Sequence, residues 1–290
     1  MKEAITLTKQ IMNRLRRFMK KLIRDIPIIG PIIKSVYRKW INPLRPFTDS
    51  ETFWNEQYDS GGDSGPGSYG KLAEFKAEVL NRFVKEKNIK TIIEYGSGDG
   101  NQLRLADYPQ YIGFDVSTKA ISLCRKIFSG DTTKTFRLMS EYNGEKAQLT
   151  LSLDVVYHLV EDDVFYEYMH RLFDSADEFV IIYSSNMDSA NIDNIAPHNR
   201  HRKVTEWVDK MKPEWKLSSV IPNRYPESDN GECGSIADFY IYESPIDSAQ
   251  HLLRAVHDPG SETAKALCRV CNPVHHSERL ILYLLGQKTL

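Results

Sequence analysis

Two spacings of apolar residues alternate along this chain. In KLAEFKAEVLNRFVKEKN, residues 71–88, Leu72, Phe75, Val79, Leu80 and Phe83 recur three and four apart, which predicts a helix with one apolar face. From residue 90 onward, short runs of β-branched and aromatic residues each precede a stretch with helical spacing. The runs predict strands over 90–95, 110–115, 134–139, 148–153, 178–184, 216–221 and 237–243. The stretches between them predict helices near 101–107, 117–128, 161–173 and 203–211. Strands that alternate with helices in this way form a mainly parallel sheet covered on both faces, an α/β fold.

The two ends of the chain follow other patterns. Over 4–24, Ile5, Leu7, Ile11, Leu15, Phe18, Leu22 and Ile23 are separated by basic residues, the pattern of a basic amphipathic helix. IPIIGPIIKSVYRKWINPLRP follows, its apolar run broken by Pro27, Gly30 and Pro31. Residues 59–70, DSGGDSGPGSYG, read as a glycine- and serine-rich loop. Beyond residue 243 the pattern is helical over 251–256, 264–270 and 278–285, without a motif, and no internal repeat runs through the 290 residues.

Charge changes this picture at one place. Residues 1–45 hold twelve Lys and Arg against Glu3 and Asp25, a net of +10, so the remaining chain carries −11 within an overall −1. A basic arm on an acidic body points to a partner. Tyr37 and Trp40 suit the headgroup zone of a lipid surface, so membrane-surface contact through residues 1–45 is one expectation. Packing of the same segment on its own domain or on a second subunit is the other. No apolar run approaches the roughly 18 residues of a membrane span. Four cysteines without a secretory signal fit a reducing, cytoplasmic setting, with peripheral location at the inner membrane face as a variant. No nucleic-acid module is recognisable, and no nucleic-acid partner is expected.

Candidate chemistry begins at TIIEYGSGDGNQLRLA, residues 91–106, where a strand ends at Glu94 and Gly96, Gly98 and Gly100 follow. A phosphate-binding Walker loop needs Gly-Lys-Ser/Thr, which is absent. A dinucleotide fingerprint is incomplete, since Asn101 stands where the third glycine belongs. Asp115 closes the next strand 21 residues after Glu94, where a carboxylate can accept both ribose hydroxyls of an adenosine ligand. An acidic loop repels pyrophosphate and suits a cation. Glu94, Gly96, Gly98 and Gly100 followed by Asp115 resemble the pattern of class I S-adenosylmethionine (SAM) methyltransferases, and that resemblance makes SAM the expected cofactor, with NAD a distant second.

The segments DSGPGSYG, LAEFKAEVLN, IIEYGSGDGNQL, YIGFDVSTKAISLCRKIF, LTLSLDVVYHLVEDDVF and PHNRHRKVTEWV, taken in order, resemble bacterial class I SAM-dependent methyltransferases of the type associated with surface-glycan biosynthesis. The resemblance covers about residues 53–243. It implies a Rossmann-like domain over 51–243 with seven strands in the order 3-2-1-4-5-7-6; the basic arm over 1–50 and the helical extension over 244–290 lie outside it. It also implies that Glu94, Gly96 and Gly98 hold the methionine moiety and Asp115 the ribose. Ser140, Glu141 and Tyr142 then lie beside the adenine, Asp154 closes the methionine side, and the loop from Ser64 to Tyr69 folds over the cofactor with Tyr69 in contact. Ser97 stands where many relatives have Cys. The implied activity is O-methyl transfer from SAM to a sugar, phosphosugar or related acidic acceptor, in some cases lipid-linked. A soluble methyltransferase of secondary metabolism and a SAM-binding scaffold module are the rivals.

In an open α/β sheet, ligands bind beyond the carboxyl ends of the strands. SLDVVYHLVED and PHNRHRK fall there. A hydroxyl acceptor needs a general base, and His158, His198 and His201 are the candidates. Arg200 and Arg202, next to Lys203, are the candidates for gripping an anionic acceptor, against the plainer reading of a solvated helix entrance. Cys268, Cys271, His275 and His276 have metal-like chemistry, but the cysteines sit in a helical pattern and no metal is expected.

Overall fold

The computed structural model describes residues 47–191, 195–227 and 234–244. The predicted helix over 4–24, Tyr37 and Trp40, the helices of 251–285 and the Cys268–His276 segment all lie outside the described residues.

Seven strands form one sheet: β1 (Thr91–Tyr95), β2 (Gln110–Asp115), β3 (Lys134–Leu138), β4 (Ala147–Leu153), β5 (Ala176–Ser184), β6 (Lys216–Ile221) and β7 (Asp238–Glu243). Their order is β3-β2-β1-β4-β5-β7-β6, as expected. Every pair is parallel except those made by β7, which runs antiparallel to β5 and β6. Among the described residues, five α-helices accompany the sheet: α1 (Ser50–Asp59), α2 (Gly70–Glu86), α3 (Thr118–Ile127), α4 (Asp162–Asp174) and α5 (Val204–Met211).

Side chains alternate across a strand, so adjacent residues of β1 enter different cores. Ile92 joins Phe75, Val79 and Leu80 of α2 and Ile121 and Cys124 of α3 on one face. Ile93 joins Phe165, Met169 and Leu172 of α4 and Val204 and Val208 of α5 on the other. Both faces are thus buried, which is why the central strands read as continuous apolar runs. The edge strand β6 is exposed along most of its length.

Two elements differ from expectation. The helix near 101–107 is a single 3-10 turn, Gln102–Leu105. The positive φ angles of Gly98 and Gly100, +59° and +79°, delay helical backbone until Asn101. Asn81 then accepts from Asp107 N and donates to Leu105 O, which ends the turn early. The second difference is α1, whose Phe53, Trp54 and Tyr58 form no regular apolar stripe. Its start is set by Asp49, whose Oδ1 accepts from Thr52 N at 2.7 Å. Ser50 is buried there, with its N and Oγ both donating to Glu161 just ahead of α4.

Among the described residues, no helix is long and apolar enough to cross a membrane.

Candidate active site

β1, β2 and β4 run parallel, and each ends at or beside a carboxylate: Glu94, Asp115 and Asp154. A cavity of about 640 Å³ opens there, within the usual range for small-molecule sites. Its walls include these three acids, Gly96 to Asp99, Leu138 to Ser140, Trp54 and Tyr58 of α1, Lys76 of α2, and His158.

The glycine loop is held tightly against the sheet. Gly96 N and Ser97 N both donate to Phe114 O, and Gly98 N donates to Asp115 Oδ2 at 2.9 Å. Gly96 and Gly98 take left-handed backbone, and a Cβ on Gly98 would lie 2.4 Å from Ser64 Oγ. Asp115 Oδ1 accepts from Ser117 N, so the carboxylate ties the loops after β1 and β2 together. Burial raises its pKa to about 6 against the pull of these backbone donors. Glu94 is more deeply affected. Burial pushes it up to about 7, while the Tyr111 hydroxyl, donating at 2.7 Å, and the Lys76 charge oppose the rise.

The segment Ser64–Tyr69, expected over the cofactor, packs on this glycine loop through a residue that sequence reasoning missed. Asp99 is buried, and its Oδ2 accepts from Ser64 N at 3.1 Å and from the Tyr69 hydroxyl at 2.6 Å. Ser64 Oγ in turn receives Asp99 N and lies 2.9 Å from the Tyr58 hydroxyl. Asn101 Nδ2 adds a bond to Ser68 O. Tyr69 therefore spends its hydroxyl on Asp99, and Ser64 and Ser68 border the cavity in its place.

The other candidate residues divide. Asp154 lines the cavity in a left-handed conformation, φ +59°, with Oδ2 2.5 Å from Lys76 Nζ and Oδ1 accepting from the Tyr157 hydroxyl. Ser140 borders the cavity, whereas Glu141 turns back to accept from Leu138 N and faces away. Tyr142 does not border the cavity and meets the rings of Tyr95 and Phe114 edge-on.

His158 borders the cavity, edge-on to Trp54, and its Nδ1 lies 3.4 Å from His198 O. Burial, with His198 nearby, lowers its pKa to about 4, so the ring is neutral at physiological pH. His198 stacks on Phe53 at 4.1 Å and backs His158 instead of facing the cavity. His201 is buried with Nδ1 2.6 Å from Ser185 Oγ and its ring against Tyr157. Arg200 and Arg202 do not border the cavity. Both donate to Val160 O and pair with Asp162, and Arg202 also donates to Leu159 O and covers the Phe165 ring. They secure the approach to α4, so the sequence cluster at 198–203 contributes second-layer packing where an anion grip was expected.

No family model matches the chain, and no curated protein matches it. Solved structures do. The N-methyltransferase NodS from Bradyrhizobium japonicum WM9, solved with S-adenosyl-L-homocysteine, superimposes with a TM-score of 0.54 at 10% identity, over 68% of this chain and 100% of that one. Magnesium protoporphyrin IX methyltransferase (ChlM) from Synechocystis PCC 6803 gives 0.48 at 13% identity, over 68% and 100%. The similarity to NodS and the sheet order together show that this chain has the Rossmann-like fold of the class I SAM-dependent methyltransferases.

Proposed function

We propose that the chain is a SAM-dependent methyltransferase of the EC 2.1.1 class. The observation that carries this reading is the cavity at the carboxyl ends of β1, β2 and β4, where Glu94, Asp99, Asp115 and Asp154 surround a glycine loop. Such a wall attracts a sulfonium and an ammonium and repels a pyrophosphate. Asp115, at the end of β2, is the proposed acceptor for the ribose hydroxyls, and Leu138 to Ser140 after β3 border the same cavity, which supports that reading. When bound, SAM supplies an electrophilic methyl group; the protein's part is to align an acceptor with it. His158 is the base candidate that borders the cavity, and as a neutral imidazole it can take an acceptor's proton.

For the acceptor, the proposed group is a sugar hydroxyl in surface-polysaccharide assembly, on the strength of the ordered sequence motifs. Trp54 contributes an aromatic ring, and Glu51, Asn55 and Asp163 contribute hydrogen-bonding groups, to the lining of the same cavity, chemistry that suits a polyol. A phosphosugar is less well served, because Arg200 and Arg202 are committed to Asp162. Residues 1–45 are proposed to hold the protein at the inner membrane face, where lipid-linked sugars are assembled.

Calorimetric titration with S-adenosylhomocysteine, with NADH in parallel, tests the cofactor. Micromolar binding of the first alone is expected; binding of NADH instead would overturn the reading. Methyl transfer from labelled SAM to neutral and phosphorylated sugar acceptors then tests the acceptor class, with turnover of the neutral set expected.

A further inference from the structure

The acidic cavity leaves one part of the proposed cofactor unaccounted for. The amino-acid end of SAM carries a carboxylate beside its ammonium, and a carboxylate needs donors. Glycine-loop amides often fill that need. Here they are spent within the protein: Gly96 N and Ser97 N on Phe114 O, Gly98 N on Asp115, Asp99 N on Ser64, Gly100 N on Ser97 O and Asn101 N on Asp99.

Two cations border the cavity. Arg171 is paired with Glu167 and lies over the Tyr142 ring. Lys76 is different. It projects from α2, is only 1% exposed, and its ammonium forms one hydrogen bond among the described residues, to Asp154 Oδ2 at 2.5 Å. Its ammonium lies 5.3 Å from the Tyr183 ring centroid. An ammonium has three donors, so N–H groups remain at the cavity wall near the carboxyl ends of β1 and β4. Asp154 is already satisfied from its other side by Tyr157. The pair is therefore a fixed dipole, its negative end held and its positive end with donors to spare.

Resting on the SAM reading above, we infer that Lys76 binds the cofactor's carboxylate, with Asp154 as the positioning residue that holds the ammonium in place. Recognition of the amino-acid end is thus assigned to a helix side chain that precedes the first strand, and the glycine loop shapes the space without donating to the ligand.

The test compares SAM with decarboxylated SAM, which keeps the sulfonium, ribose and adenine and loses only the carboxylate. Both are titrated calorimetrically into the full-length protein and its Lys76→Met variant. Wild type should prefer SAM by roughly 10–100-fold, the scale of a hydrogen bond to a charged group. Lys76→Met should lose that preference, with affinity for the decarboxylated ligand changed less than about threefold. An equal loss for both ligands, or no wild-type preference, overturns the assignment to Lys76 and leaves the cofactor reading standing. Failure of wild type to bind either ligand overturns both. The variant strands the Asp154 carboxylate and risks misfolding, so Lys76→Met with Asp154→Asn, which removes both charges, is measured beside it. That double variant is expected to show the same loss of preference, and a preserved preference in it would also overturn the proposal.

Discussion

At the scale of single residues, the site contains two acids, Glu94 and Asp115, that burial makes reluctant to ionise. Glu94 titrates at about 7 in the folded protein against 4.5 for an ordinary glutamate, because burial penalises its charge. Between those values the folded state binds more protons than the unfolded one, so this residue's contribution to stability falls as pH rises from about 4.5 to 7 and is constant above. Glu94→Gln removes the effect. Relative to wild type, the variant should gain on the order of 3 kcal/mol between pH 4.5 and 8, read from urea unfolding at both values. A constant difference would show that Glu94 titrates normally. Binding has the opposite sign. A cationic cofactor prefers ionised Glu94 and Asp115, so the affinity for SAM should rise from pH 5.5 to 8, and Asp115→Ala should weaken it by about 1.5–3 kcal/mol at pH 8. His158, lowered to about 4, plays no part in that limb.

At the scale of elements, the glycine loop and residues 60–69 act as one latch, closed by Asp99. Asp99→Ala removes the acceptor for Ser64 N, the Tyr69 hydroxyl and Asn101 N together. Faster hydrogen exchange over 62–69, with unchanged exchange in β4 and β5, is the expected result; slow exchange in the variant would mean that other contacts close the loop. Gly98→Ala should open the same segment by a different route, since its Cβ would displace Ser64 from a backbone with φ +59°. How much of this was legible depends on sequence distance. The strands stood out because both sheet faces are buried, and Glu94 and Asp115 stood out because each closes such a run. Asp99 was hidden because its partners lie 35 and 30 residues upstream, in a loop without periodicity. Lys76 was hidden by its charge, though it falls four residues from both Leu72 and Leu80, inside the apolar stripe of α2. A lysine at a core position was the available signal. The cations at 198–203 misled for the converse reason: a charge run near a strand end looks the same whether it grips a ligand or, like Arg200 and Arg202, caps a neighbouring turn.

At the scale of the whole molecule, charge is distributed very unevenly along the chain, and the proposed membrane contact rests on that asymmetry. The body, −11 beyond residue 45, is repelled by an anionic bilayer, while residues 1–45 carry +10. On the proposal that residues 1–45 meet an anionic surface, these opposing charges would favour one orientation of the protein on it. Near an anionic surface each Lys or Arg contributes about 1 kcal/mol, and the field decays within a Debye length of about 8 Å at physiological salt. Full-length protein should therefore co-sediment with vesicles containing phosphatidylglycerol at low salt and leave them in 0.5 M NaCl. It should ignore vesicles of phosphatidylcholine alone. Replacing Arg14, Arg16, Arg17, Lys20, Lys21 and Arg24 by Gln should abolish co-sedimentation while leaving S-adenosylhomocysteine affinity within about twofold, because the cavity acids lie elsewhere in the chain. Retention in high salt would point instead to burial of Ile26–Ile33 and Trp40 in the bilayer, a hydrophobic anchor that charge only assists.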